Sequence, residues 1–371
     1  MNSRERLLAA LDLKMADRVP VSTYSLGAGT GHSFEYSDPS YARLVRVIRE
    51  KTDRLFEWSP SSNHRFLHSA HPVEIDETTR REDDATVTER TVRTPKGDLH
   101  QVVKVVDDIH TVWQTEHLCK TIEDVEKALS VPYEPVAYDG TGLHETEAEL
   151  GDGGILVDDA SDALCSVAPL MEFGDYTVWA MTEREHFQKT LDRVHERIME
   201  NLRRQLDVCV LPLYRSCGSE YATPPYLPPE LFERYVVPYA KDIVELIHSR
   251  GAKVRIHCHG KMGRVLDMIA ATGVDGIDPC EPPPDGDVEL AEVKKRVGDR
   301  LCLFGNIELK LLERGTPDDV EAEVKRSMDA AKPGGGYVLL PTSIPYGSPL
   351  SEKTEENYLR YIDAALKYGK Y

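Results

Sequence analysis

The stretch His248-Ser249-Arg250-Gly251-Ala252-Lys253-Val254-Arg255-Ile256-His257-Cys258-His259-Gly260 decides the fold. It reads as the end of a helix, a glycine that closes it, a short β-rich run and then a polar cluster. Glycine just past a helix end adopts the left-handed conformation that terminates the helix. The same grammar recurs three times downstream. Ala271-Thr272-Gly273 leads into Val274–Asp278, Arg296-Val297-Gly298 into Leu301–Phe304, and Pro333–Gly336 into Tyr337–Leu340. The runs are short and apolar and the returns are helical, which predicts right-handed βαβ units on a parallel sheet.

The connecting helices are well signalled. Thr316-Pro317-Asp318-Asp319 supplies an N-cap, a proline in the first turn and early carboxylates, and Val320, Val324 and Met328 follow at helical spacing. Leu231, Tyr235, Tyr239, Ile243 and Ile247 form a longer stripe in which Pro238 predicts a kink. Further towards the N-terminus, Arg4–Leu13 reads as a short helix, and Arg18–Ser22, Leu55–Trp58, Gly154–Val157 and Val208–Leu213 as strands. From about Arg81 to His117, ending in His110–Trp113, polar and β-branched residues alternate around a turn at Thr94-Pro95-Lys96-Gly97-Asp98. This predicts an antiparallel hairpin region inserted into the N-terminal half. The expectation is one domain over 1–371, a (β/α)8 TIM-type barrel of the α/β class.

Composition narrows the function. A formal net charge of −19 opposes nucleic acid and anionic membrane as partners, because both demand concentrated Lys and Arg. No apolar run approaches a membrane span and the N-terminus lacks a signal-peptide core, so a cytoplasmic enzyme is expected. Seven cysteines with scattered spacing and no C-x-x-C fit reduced, mostly buried thiols.

In a parallel barrel the active site lies at the C-terminal ends of the strands. That rule selects Asp158 and Asp159, then Arg215, Cys217 and Glu220, then His257, Cys258 and His259. It also selects Cys280 and Glu281, then Asn306, and lastly Thr342 and Ser343. His257 and His259 are two apart and would face the same way in extended chain, so their imidazoles could share a ligand, with Cys258 turned into the packing. A divalent metal there needs further donors, for which Glu220, Cys217, Cys280 and Glu281 are available. Glu281 and Asp158 are candidates for acid or base, and Asn306, Arg215, Glu220 and Tyr24 for substrate contact. In the rigid loop Glu281-Pro282-Pro283-Pro284-Asp285-Gly286-Asp287, prolines would hold Glu281 in place. Gly27-Ala28-Gly29-Thr30-Gly31 lacks the lysine and spacing of a phosphate loop.

At these residues the chain resembles the uroporphyrinogen decarboxylase-like superfamily, which includes the decarboxylase and the methyltransferases that exchange methyl groups with corrinoid proteins. The resemblance is carried by Ser3–Leu11, Asp17-Arg18-Val19-Pro20-Val21, Thr94–Leu99, Leu227–Tyr239, His248–Gly260, Gly273–Glu281, Gly305-Asn306-Ile307 and Thr316–Val320. It implies a barrel with a deep cleft at the strand C-termini. The haem-pathway enzyme has an arginine-rich stretch after the first strand for porphyrinogen carboxylates; here that place reads Thr23-Tyr24-Ser25-Leu26-Gly27-Ala28-Gly29. The resemblance is therefore closer to the corrinoid-dependent methyltransferase branch. There, zinc is held by a histidine, a cysteine and a late second cysteine. His257 matches, but His259 stands at the cysteine position and Thr342 or Ser343 at the late one, so a His257–His259–carboxylate site, with Glu220 or Glu281, is the implied variant; zinc is the metal favoured.

The leading expectation is a methyltransferase-like enzyme working with a corrinoid protein or a small methylated substrate. A decarboxylase or lyase acting on a small or tetrapyrrole carboxylate is the alternative, with Arg215 or Arg255 as the cation it needs. A non-catalytic barrel that binds a ligand is the third. A homodimer is compatible with all three.

Overall fold

The computed structural model describes residues 1–27, 38–109 and 111–371. Most of the Gly27–Gly31 loop, and His110 of the expected His110–Trp113 strand, lie outside the described residues.

Seven parallel strands form one curled sheet in chain order: Arg54–Glu57, Gly154–Ser161, Leu213–Cys217, Lys253–His257, Gly276–Asp278, Cys302–Ile307 and Tyr337–Pro341. The segment expected as a strand at Arg18–Ser22 takes the eighth position with only isolated bridging. Ser22 N donates to Leu339 O at 2.9 Å and Leu339 N to Pro20 O at 3.0 Å, while Asp53 N donates to Val21 O at 2.6 Å on the other side. The ring therefore closes between its first and last strands, as a (β/α)8 barrel requires.

Alternation along the strands assigns each residue a side. Leu55, Ile155, Val157, Leu213, Cys302, Phe304, Val338 and Leu340 pack together inside the barrel, with Leu7, Ala10 and Leu11 of the helix Ser3–Leu11 plugging its lower end. Leu156, Tyr214, Val254, Ile256, Ile277, Leu303 and Leu339 face the helical layer instead. That outer core includes Val320, Val324 and Met328 of the helix Pro317–Ala331, whose Thr316 N-cap and first-turn proline are as the sequence predicts, with Asp319 completing a capping box.

Several expectations need correction. The run Val208–Leu213 is not a strand: the helix Arg184–Val208 continues through its first residue, and the strand begins at Leu213. Pro212 has no N–H to donate to a neighbouring strand, although its carbonyl accepts from Lys253 N at 3.1 Å. The stripe through Pro238 is two helices, Pro229–Tyr235 and Val237–His248, rather than one kinked helix. The β-rich insertion is a four-stranded antiparallel sheet, Ile75–Glu82, Ala85–Thr94, Gly97–Val106 and Val112–Glu116. It starts before Arg81 because its first strand is exposed throughout and carries no apolar face to signal it.

Beneath the barrel, Asp53 is fully buried and accepts from Arg6 Nη1 at 2.6 Å, Arg18 Nη1 at 2.6 Å and Val21 N at 2.8 Å. One carboxylate thus joins the first helix, the closing segment and the start of the sheet. Among the described residues no helix is long and apolar enough to cross a membrane.

Candidate functional site

With the strand parity fixed, the polar side chains that continue the inner face towards the C-terminal ends can be read off. Above Val157 stands Asp159; above Leu213 stand Arg215 and Cys217; on the next strand come Arg255 and His257; on the next, Asp278. Register makes them neighbours: Asp159 pairs with Arg215, Arg215 with Arg255, Cys217 with His257, and His257 with Asp278. An ionic layer therefore sits on the apolar filling of the barrel.

The layer is held by two linked units. In the first, Arg215 closes on Asp159 in a bidentate pair, Nε to Oδ1 at 2.8 Å and Nη2 to Oδ2 at 2.9 Å. Its Nη1 donates to the Tyr24 hydroxyl at 3.1 Å, and the guanidinium lies 5.6 Å from that ring's centroid. In the second, His257 Nδ1 is 2.7 Å from Asp278 Oδ1, while Arg255 Nη1 lies 2.9 Å from Asp278 Oδ2. Asp278 is wholly buried and Arg255 is 4% exposed. Burial alone would push the Asp278 carboxyl up, but the charges of Arg255 and His257, the hydrogen bond from His257 and the charge of Arg215 hold it well below the usual range. Tyr24 ties the units together, its ring 6.2 Å from that of His257.

His259 extends this group upward. Its ring meets His257 edge-on at 4.5 Å, so the two imidazoles share a face as their spacing predicts. Its Nδ1 lies 2.8 Å from Glu281 Oε1, and Glu281 Oε2 accepts from Gly260 N at 2.7 Å. Burial opposes the charged form of His259, but the bond to Glu281, with the charges of Glu281, Glu220 and Asp278, raises its pKa overall. The same bond lowers that of Glu281 against its burial. Cys258, between the histidines, faces the outer core with Thr223 Oγ1 3.2 Å from its sulfur, as alternation requires.

Other expected residues fall elsewhere. Asp158 points out of the barrel: Gln205 and Ser59 donate to its carboxylate, as does Asp159 N at 2.8 Å, and burial raises its pKa to about 6. Its neighbour Asp159 has the inward place. Asn306 is fully buried and accepts from Ser327 of the outer helix at 2.9 Å, so it does not reach the histidines. Glu220 stays beside the mouth. One oxygen accepts from Gly218 N at 3.1 Å, and its charge acts on His259, Cys217 and Asp162. Thr342 accepts from Leu309 N at 3.1 Å at the start of a helix.

Among the described residues no three His, Cys, Asp or Glu side chains are gathered closely enough to hold a metal ion. His257, His259 and Glu220 thus do not form a ready-made centre, and burial lifts the Cys217 thiol to about 12. Sequence reasoning missed Asp278 as a functional residue. Its signal was the parity it shares with Gly276, one strand over from His257.

The fold and this layer define a (β/α)8 barrel with a candidate histidine–carboxylate site at the strand C-termini. A family model described as uroporphyrinogen decarboxylase (URO-D) matches residues 163–352. That is half of the chain, and the chain belongs to this family. Among curated relatives, a uroporphyrinogen decarboxylase of Pseudoalteromonas translucida (strain TAC 125) is 28% identical over 172 residues, 45% of either chain. The methylcobamide:CoM methyltransferase MtbA of Methanosarcina mazei is 30% identical over 140 residues, 38% of this chain and 37% of that one. The matched stretches thus span less than half the length of these two relatives. A solved structure described as a methyltransferase from Methanosarcina mazei shares the fold over 99% of both chains, with a TM-score of 0.62 and 15% identity.

Proposed function

We propose that this protein is a methyltransferase-like enzyme that moves a methyl group between a corrinoid protein, or a small methylated donor, and a small heteroatom acceptor. The observation that carries this reading is the buried contact of His257 Nδ1 with Asp278. An ionised carboxylate only accepts hydrogen bonds, so Nδ1 carries a proton, and in the neutral imidazole Nε2 then presents a lone pair. In the forward direction the acceptor's lone pair forms the new bond to the methyl carbon. The electrons of the broken methyl bond stay with the donor, and the acceptor's proton passes to His257 Nε2. General-base help of this kind is worth about 10²–10⁴-fold. His259, held by Glu281, edges the same space as a second imidazole, and Tyr24 and Glu220 flank it.

Decarboxylation of a polycarboxylate fits less well. It needs unpaired cations for the substrate's carboxylates, whereas Arg215 is closed on Asp159 and Arg255 on Asp278. The methyltransferase among the curated relatives supports the same preference. No step here passes through a metal.

The test is incubation of the purified chain with methylcobalamin and a panel of thiols, phenols, alcohols and amines, following the corrinoid spectrum and methylated product. Turnover that falls about 10²-fold or more in His257→Ala is expected. Carbon dioxide release from carboxylates, with no methyl transfer in either direction, would overturn the proposal.

A further inference from the structure

The four-stranded antiparallel sheet of the N-terminal half has two edges of different character. The edge Val112–Glu116 is five residues long and meets its neighbour through a register shift between Val102 and Val103, an irregularity of the kind that blunts an edge. The edge Ile75–Glu82 is eight residues long, and its register with Ala85–Thr94 runs without a break. It holds no proline, glycine or lysine, and every residue in it is exposed. Among the described residues its backbone pairs with that one strand only. Its outward row of N–H and C=O groups is therefore open to another strand. Charge is the remaining device that closes an edge, and Asp76, Glu77, Arg80, Arg81 and Glu82 supply it. Their order decides whether that charge repels a second strand or fits it.

We propose that Ile75–Glu82 is a docking edge for the same strand of a second copy of this chain, the two running antiparallel about a two-fold axis at Thr78. The inference goes beyond the methyl-transfer reading and does not depend on it. Residues directly opposite in an antiparallel pair share a face of the sheet. The axis of a symmetric pair therefore passes between two copies of one residue, never between neighbouring positions. An axis at any of the charged residues sets that charge against its own copy. An axis at Thr79 sets Asp76 against Glu82, and one at Ile75 pairs a single residue of the strand. An axis at Thr78 sets Asp76 against Arg80 twice, Glu77 against Thr79, Ile75 against Arg81 and Thr78 against itself. No like charges oppose each other there. The neighbouring strand extends the match, since Arg93 lies 2.6 Å from Asp76 and Glu89 meets Arg80. Arg93 and Asp76 of one copy would then continue into Arg80 and Glu89 of the other as a line of alternating sign, repeated by the symmetry. Residues Ile75–Arg81 on each side make a contact at the small end of specific interfaces, so the dimer should depend on concentration.

Sedimentation velocity over a concentration series should show the unsubstituted chain passing from monomer to dimer. Asp76→Arg sets arginine against Arg80, and Arg80→Asp sets aspartate against Asp76. Each variant alone should therefore dimerise about tenfold more weakly, or worse. Mixed in equal amounts, the two should recover the dimer, because both seam contacts of the mixed pair are then between opposite charges. The register has its own test. Thr78→Cys faces its own copy at a separation a disulfide spans, and copper–phenanthroline oxidation should cross-link it, with the bridge located by peptide mapping. Thr79→Cys faces Glu77 and should not cross-link. All four substitutions lie at exposed positions, where the fold is expected to survive. A chain that stays monomeric up to its solubility limit overturns the proposal, as does a dimer indifferent to both charge reversals. Mixing that fails to restore the dimer, or equal cross-linking at positions 78 and 79, overturns it as well.

Discussion

Glu281 holds His259 and the backbone of Gly260 with its two oxygens, 2.8 Å from the Nδ1 of the one and 2.7 Å from the N–H of the other. A single carboxylate from a proline-stiffened loop thus fixes both the second imidazole and the chain just beyond it. The pair has a defined pH window. His259 is raised, so its contribution is complete below about pH 6.5 and fades as pH climbs through its folded value. Glu281 is lowered, so its contribution is complete above about pH 4.3 and fades as pH drops through its folded value. The melting temperature of the unsubstituted chain should exceed that of Glu281→Gln most between these limits and less at pH 8 or above. A difference that is flat across that range would refute the pairing.

Glu308 carries the opposite signature. Burial, together with the negative charges of Glu281 and Asp285, raises its carboxyl to about 7 against the pull of Lys310. A raised acid costs stability that grows as pH rises from its unfolded value to its folded one. Glu308→Gln should therefore match the unsubstituted chain near pH 4 and exceed it at pH 8. Discounted for solvent screening, the gain should be on the order of 1–2 kcal/mol. Urea titrations at the two pH values check the sign.

Asp53 should be the costliest carboxylate to remove. Asp53→Ala would leave Arg6 and Arg18 without a buried partner and free the Val21 N–H. A loss of about 3–5 kcal/mol is expected, measured by denaturant unfolding, because breaking one side of a buried pair strands the other charge.

Gly286 allows the Glu281 loop to close on itself. A Cβ there would stand 1.9 Å from the Glu281 carbonyl oxygen. Gly286→Ala must push that backbone aside and carry the carboxylate off His259. Misplacement of about 1 Å costs on the order of 10²-fold in turnover. Activity should therefore fall much further than melting temperature, a contrast that parallel assays and thermal scans would expose.

How much of this was legible beforehand depended on which residues mark their own side. Glycines at 251, 273 and 298 announce where helices stop, and the strands after them appeared where the sequence places them. The Leu213 strand was misplaced because Val208-Cys209-Val210-Leu211 is as apolar as a strand, and only Pro212 hints that pairing starts later. The histidines were found because alternation from Val254 is unambiguous. Asp158 and Asp159 offered no such guide. Two identical side chains at a strand end can be told apart only once Ile155 and Val157 are known to face inward. Asn306 carried the polarity of a ligand-binding residue, but its partner Ser327 lies on the next helix, where no local pattern shows it. Asp278 was passed over because it was read only as the last residue of the run Val274–Asp278, and its place beside His257 shows only in the pairing of the two strands.

The hydroxyl of Tyr361, on the last helix Glu352–Tyr368, lies 2.6 Å from the carbonyl of Ser22 and 3.1 Å from that of Leu339. It acts as a clasp across the seam between the barrel's first and last segments. Tyr24 follows Ser22 by two residues, so its place between Arg215 and His257 depends on that clasp. The Tyr24 bridge is thereby tied to the helix Glu352–Tyr368 as well as to the strands that carry Arg215 and His257.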